Sequence, residues 1–151
     1  MSDLPELDRL RDGFGSLIAT VGRQWRRAVD LRLQPFGLTE ATWLPLLHLH
    51  RAPAPMRQKD LAASLALDSS SVVRLLNGLQ GAGLVERREE AADRRAKTIL
   101  LTDQGRATVT QVEAVSRQVR QEALAGLDEA ALEGAALVLR QVSSALRQDP
   151  A

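Results

Sequence analysis

Apolar residues keep a helical spacing along almost the whole chain, and that spacing gives way only once, between Leu84 and Leu101. There, Leu84 to Arg88 and Lys97 to Leu101 read as two strands, with a charged, alanine-rich stretch between them suited to a hairpin tip. One hairpin set among helices predicts a mostly α fold (α+β) with a two-stranded β-wing. Composition agrees. The chain has two Trp, two Phe and no Tyr, so its core must be built from Leu, Val and Ala, of which Ala and Leu are strong helix formers.

Several function classes drop out early. Cysteine is absent, which excludes disulfides, thiolate metal sites and thiol redox switches. No apolar run approaches the roughly 18 residues that a membrane span needs, and the polar, acidic stretch from Met1 to Arg11 is no secretory signal. A cytoplasmic location is expected. His48 and His50 stand one residue apart without an H-E-x-x-H pattern, and Gly13-Phe14-Gly15 opens a helix rather than following a strand. Neither a metal site, a cofactor nor an enzyme is expected.

The helices can be placed in order. Phe14, Leu17, Ile18, Val21, Trp25, Ala28 and Val29 predict a long first helix, ended by Pro35 and Gly37. Thr39, followed by Glu40, predicts the N-cap of a second helix running to about His50, with Pro45 in its first two turns. After the break at Arg51-Ala52-Pro53-Ala54-Pro55, a short helix is expected from about Arg57 to Leu65, with Leu61, Ala62 and Leu65 inward. Asp68, Ser69 and Ser70 cap the next helix, which turns Val72, Val73, Leu76 and Leu79 inward and stops at Gly81-Ala82-Gly83. Thr102 then caps a long helix carrying Val109, Val112, Val115 and Val119. In the last helix Leu132, Ala135, Leu139, Val142 and Leu146 form a seam for another helix. This divides the chain into N-terminal helices (1–55) for dimerisation and a pocket wall, a winged helix-turn-helix (56–105), and C-terminal dimerisation helices (106–151).

Two helices joined by a three- or four-residue turn make a helix-turn-helix, in which the N-terminal end of the second helix enters the major groove. Leu61 and Leu65 anchor the first helix, Ala62 permits close approach and Leu67 plugs the turn. Ser69, Ser70, Ser71 and Arg74 are then the residues presented to DNA, since hydroxyls reach phosphates or either base edge and Arg74 suits guanine or phosphate. A plain helical corner with a serine cap is the alternative. Net charge is only +1, so the whole-chain balance does not argue for nucleic acid. The charge is clustered instead: Arg87, Arg88, Arg94, Arg95 and Lys97 stand against Glu89, Glu90 and Asp93 in one short segment.

The stretch Asp93-Arg94-Arg95-Ala96-Lys97-Thr98-Ile99-Leu100-Leu101-Thr102-Asp103-Gln104-Gly105 resembles the wing signature of the MarR family, D-x-R-x-x-x-[LIV]-x-L-T-x-x-G, at all thirteen positions. Arg23-Gln24-Trp25-Arg26-Arg27, Arg32-Leu33-Gln34-Pro35, Leu38-Thr39, Trp43 and Ser71-Val72-Val73-Arg74 resemble its SlyA branch. Ala66 departs from the pattern, because the family often has Gly there. The resemblance implies a homodimer with interlocked end helices, binding double-stranded DNA at a pseudo-palindromic operator, most simply as a repressor. It implies that Arg95, with Arg94 its rival, enters the minor groove, where the potential is most negative. Lys97 supports this contact. Asp93 orients an arginine through a charge-assisted pair. The acids Glu89 and Glu90 are expected to lie away from DNA. The resemblance also implies a small aromatic carboxylate or phenolic effector between the dimer helices and the DNA module, for which Arg26, Trp43 and His50 are the candidate residues. The competing reading is a helical protein–protein adaptor that keeps the winged fold without binding DNA.

Overall fold

The computed structural model describes residues 4–147, without the side chains of Leu4, Arg94 and Arg95. Six helices and three strands follow in the order α1 (Leu4–Leu33), α2 (Glu40–Arg51), β1 (Met56–Arg57), α3 (Gln58–Leu65), α4 (Ser69–Gly81), β2 (Val85–Glu90), β3 (Asp93–Leu101), α5 (Asp103–Leu124) and α6 (Glu129–Leu146). The chain forms two compact units, Met1–Val119 and Arg120–Ala151. Among the described residues no helix is long and apolar enough to cross a membrane, and no group of three or more His, Asp or Glu is placed to hold a metal ion.

Helix α1 begins ten residues before Phe14, with Leu4, Leu7 and Leu10 at helical spacing, and ends in a 3-10 turn at Gln34–Phe36. Gly37 closes that turn at φ 73°, where glycine carries no steric cost, and its N–H donates to the Gln34 carbonyl. Thr39 occupies the N-cap position of α2, but its hydroxyl meets that of Thr42 and makes no cap to the backbone. Pro45 is tolerated inside α2 and is itself buried.

The sheet has three strands, in the order β1-β3-β2, all antiparallel, rather than the two expected. Strand β1 pairs Met56 with Ile99 and Arg57 with Thr98. The short helix α3 accordingly starts after Arg57, not at it.

Two apolar clusters hold the first unit together. Leu46, Leu61, Val72, Leu76, Leu79, Leu84, Val85, Ile99 and Val109 join α2, α3, α4, the hairpin and the start of α5. Val29, Leu33, Trp43, Leu47, Val112, Val115 and Val119 join the C-terminal half of α1 to α2 and α5. Val73 is exposed rather than inward, and Leu75 packs against the first cluster instead. Leu67 is likewise exposed at 40% and does not plug the turn. In α6 no residue is buried, so its apolar seam is open.

Candidate nucleic-acid interface

The turn of the helix-turn-helix is three residues long, Ala66-Leu67-Asp68. Ala66 adopts the left-handed conformation at φ 53°, ψ 43°, and is the single non-glycine residue with positive φ among the described residues. The Leu67 N–H donates to the Ala62 carbonyl at 2.9 Å and that of Ala66 to Ala63 at 3.2 Å, which closes α3 in a left-handed C-terminal cap. A Cβ costs about 1–2 kcal/mol in this region, so the turn keeps its shape here without the favoured glycine.

Asp68 is the N-cap of α4. Its Oδ1 accepts the Ser71 N–H at 2.7 Å and the Ser70 hydroxyl at 2.8 Å. The backbone bond from Ser71, followed by the serine hydroxyls, holds this carboxyl below the usual carboxylate range. Of the predicted serines, Ser69 and Ser70 are exposed and Ser71 is half-buried. The Ser70 proton is committed to the cap, which leaves only its oxygen lone pairs for an outside donor. Arg74 is exposed one turn further along α4, with Asn77 beyond it on the same face.

The wing is regular at its base and irregular at its tip. From Val85↔Leu101 to Glu89↔Lys97 the register is continuous, but the next pair is Glu90↔Asp93. Adjacent residues on β2 therefore face partners four apart on β3, and Arg94, Arg95 and Ala96 bulge out with no β2 residue opposite them. Such a bulge interrupts the ladder and bends the strand that carries it. Pairing resumes beyond the bulge at Glu90↔Asp93, and a two-residue turn at Ala91-Ala92 closes the hairpin. The side chains of Arg94 and Arg95 lie outside the described residues. Asp93 and Lys97 are exposed.

Thr102 and Gly105 anchor the base. The Thr102 hydroxyl donates to the Gly83 carbonyl and accepts the Gly105 N–H at 3.0 Å, capping α5 as expected. A Cβ on Gly105 would sit 2.0 Å from the Leu84 carbonyl oxygen, so only glycine lets α5 start this close to the hairpin.

Two cross-links were not legible in the sequence, because each joins residues brought together only by the tertiary fold. Arg87 Nη2 on β2 donates to Asn77 Oδ1 on α4 at 3.0 Å, joining wing to helix. Arg57 on β1 grips Glu90 at the wing tip with two bonds, Nε to Oε1 at 3.2 Å and Nη2 to Oε2 at 2.7 Å. The Glu90 bond and charge hold the Arg57 guanidinium pKa above its ordinary value. Glu90 is thereby neutralised, while Glu89 is exposed.

The three expected effector residues are not brought together. Trp43 is 2% exposed and packs in the second cluster, donating its indole N–H to Asp30 Oδ1 at 3.0 Å. His50 is exposed near the end of α2. Arg26 lines a cavity of about 300 Å³ with Glu40 and an apolar wall of Ala41, Leu44, Pro45, Leu65, Leu67 and Leu75. It pairs with Glu40 at 3.7 Å, and both residues also line a smaller cavity of about 210 Å³ with Arg23, Arg27 and Asp30. His48, on α2, is half-buried against the Ser64 hydroxyl of α3. Burial first, and then Arg51 and Arg26, push its pKa below the ordinary histidine value.

The MarR family model matches residues 36–96. The crystal structure of the transcriptional regulator PA3341 is 40% identical, with a TM-score of 0.83 over 88% of this chain and 97% of that one. CouR from Rhodococcus jostii RHA1, bound to p-coumaroyl-CoA, is 27% identical, with a TM-score of 0.77 over 94% of this chain and 98% of that one. MepR from S. aureus, in complex with DNA, is 25% identical, with a TM-score of 0.76 over 88% of this chain and 98% of that one.

Proposed function

The chain belongs to the MarR family of DNA-binding transcription regulators, and from that premise we propose that it acts as a homodimeric repressor on a pseudo-palindromic operator. The observation that carries this reading is the Arg87–Asn77 bond, which ties the exposed face of α4 to the wing so that both elements meet DNA as one surface. In this reading Ser69, Ser70, Ser71 and Arg74 enter the major groove. Arg94 and Arg95, on the bulge, enter the adjacent minor groove beside Lys97, with Asp93 orienting them. That MepR was solved as a complex with DNA supports DNA binding by this chain.

A second copy of the chain covers the open apolar faces. Leu10, Leu17, Ile18 and Val21 on α1 are exposed, as are Leu132, Leu137, Val138, Leu139 and Leu146 on α6. Half-sites then lie about one helical turn apart on one face of the duplex. MarR regulators are generally not enzymes, and the reading assigns this chain no reaction. It works in the cytoplasm, where its DNA lies.

The regulator also responds to a ligand with an apolar body and an anionic group, seated in the cavity above α3 and α4. The apolar wall with a single fixed cation, Arg26, supports this, as does the ligand bound to CouR. Arg26 is already paired with Glu40, so an anionic ligand must share or displace that carboxylate. Neither Trp43 nor His50 lines this cavity; Trp43 bonds to Asp30, which borders the smaller neighbouring one. Titration with aromatic carboxylates and aromatic coenzyme A thioesters, followed by tryptophan fluorescence, should saturate. A flat response across the panel removes the ligand but leaves the regulator.

The regulator itself is tested by gel shift on fragments selected from the source genome. Arg94→Ala/Arg95→Ala should abolish the shift while the protein sediments as wild type. An unchanged shift contradicts the role of the wing, and a wild type that retains no fragment favours the adaptor.

A further inference from the structure

Order in the sheet gives the wing two distinct flanks. Strand β2 faces α4, whereas β1, on the far side of β3, leads directly into α3. A wing seated in a minor groove has a sugar–phosphate strand on each side. One strand runs between the wing and α4; the other must pass along the β1 flank.

That flank holds a groove of about 450 Å³, lined by Arg57, Gln58, Lys59, Asp93, Ala96 and Lys97. It draws on three elements: the end of β1, the first turn of α3, and the bulged part of β3. Charge within it is unevenly committed. Arg57 is held by Glu90, and Asp60 turns its Oδ2 to the Arg57 N–H at 2.9 Å. Lys59 and Lys97 are exposed, and neither makes an ion pair with a described residue. Asp93 borders the groove and is itself engaged. The Arg57–Glu90 pair thus neutralises a wing-tip carboxylate on this side, leaving the ammonium groups of Lys59 and Lys97 without an ion-pair partner among the described residues, beside the path of the second strand.

We infer that this groove is a DNA-backbone site, in which Lys59 of α3 and Lys97 of β3 grip phosphates of the strand on the side of the wing away from α4. The inference rests on the DNA-binding reading above and deepens it. Lysine suits this task, because a point charge on a flexible stem neutralises phosphate without demanding a particular base. The site adds affinity rather than sequence preference.

The test is fluorescence anisotropy on a selected duplex and on an unrelated one, from 50 to 200 mM salt, comparing wild type with Lys59→Ala/Lys97→Ala. Each phosphate contact contributes about 0.9 to the slope of log affinity against log salt, and a dimer carries four of these lysines. The slope should fall by about 3 to 4, and affinity for both duplexes should drop by about tenfold or more at the upper salt. Lys59→Gln/Lys97→Gln should give the same result, guarding against a folding effect of the alanines. If wild type binds and both double variants keep its slope, the groove is not a phosphate site and the rest of the interface stands. If wild type binds neither duplex, the regulator reading fails instead.

Discussion

Leu61 and Leu76, in the winged module, are completely buried, whereas Leu17 on α1, Leu139 on α6 and Leu146 at the end of α6 are 58%, 46% and 74% exposed. The side chains are the same; their surroundings differ. In the module, α2, α3, α4, the hairpin and α5 close around one cluster, and the special backbone positions are satisfied from within the chain. The Thr102 hydroxyl, the Gly105 approach and the Asp68 cap each complete an element locally. The N-terminal half of α1 and the whole of α6 have the amphipathic spacing of packed helices, yet their apolar stripes meet solvent. The difference teaches that one chain closes the core of its winged module but leaves apolar faces on α1 and α6 open, which on the proposed reading a second copy covers. Burying a leucine fully contributes about 1.5–3 kcal/mol, so these open faces are a large reservoir for association.

The comparison can be broken from either side. Leu139→Asp places a charge on the α6 seam and should act twice in a dimer, weakening association by about 3–6 kcal/mol. Sedimentation should then show a lighter species whose near-ultraviolet tryptophan signal is retained, because Trp43 lies in a cluster within one chain. Loss of that signal would mean that the module also depends on the partner. Leu76→Ala attacks the closed core and should cost about 2–5 kcal/mol in urea melts. Gly105→Ala should cost about 3 kcal/mol, because its Cβ collides with backbone that cannot move without opening the hairpin base. A neutral Gly105→Ala would show that the hairpin is not seated on α5 as described.

Smaller changes sharpen the picture. Ala66→Gly should stabilise the module by about 1 kcal/mol, measured by thermal melting, by relieving the left-handed turn. A destabilised variant would mean that the turn is not left-handed. The smallest effect concerns pH. The His48 pKa is lowered by burial, Arg51 and Arg26, so the unfolded chain binds more protons than the fold just below the ordinary histidine value of about 6.5. Stability should be fully present above that value and decline as pH falls through the folded pKa. His48→Gln should flatten that dependence in urea midpoints taken from pH 8 to 5, and an unchanged slope would place its origin elsewhere.

Local rules made much of this legible. The periodicity of Val109, Val112, Val115 and Val119 marked a buried stripe, and Asp68 and Thr102 were recognisable as caps because their partners lie within three residues. What the sequence hid depends on distant residues. Two residues, Met56 and Arg57, carry no strand pattern and become β1 only by pairing with Ile99 and Thr98. The start of α1 was legible but unused: Leu4, Leu7 and Leu10 continue the helical spacing of Phe14 and Leu17 backwards, among the charged residues of that stretch. Trp43 suited a pocket wall by its chemistry, but Asp30, on another helix, satisfies its indole inside the core. Helical spacing points Val73 inward and the turn offers Leu67 as its plug, yet both are exposed, and Leu75 packs against the cluster instead. Within the interface, the serines and Arg74 were visible as the start of a capped helix. The bulge, the Arg57–Glu90 grip and the Arg87–Asn77 tie were not, since register and cross-links are set by the folded sheet.

The central claim is that two heads act together because the end helices of two chains complete each other. Analytical ultracentrifugation of the full chain, alone and with a selected duplex, tests it most directly. The account predicts a two-chain particle in both cases, with one such particle per duplex. A single chain in solution that also occupies the duplex singly would contradict it.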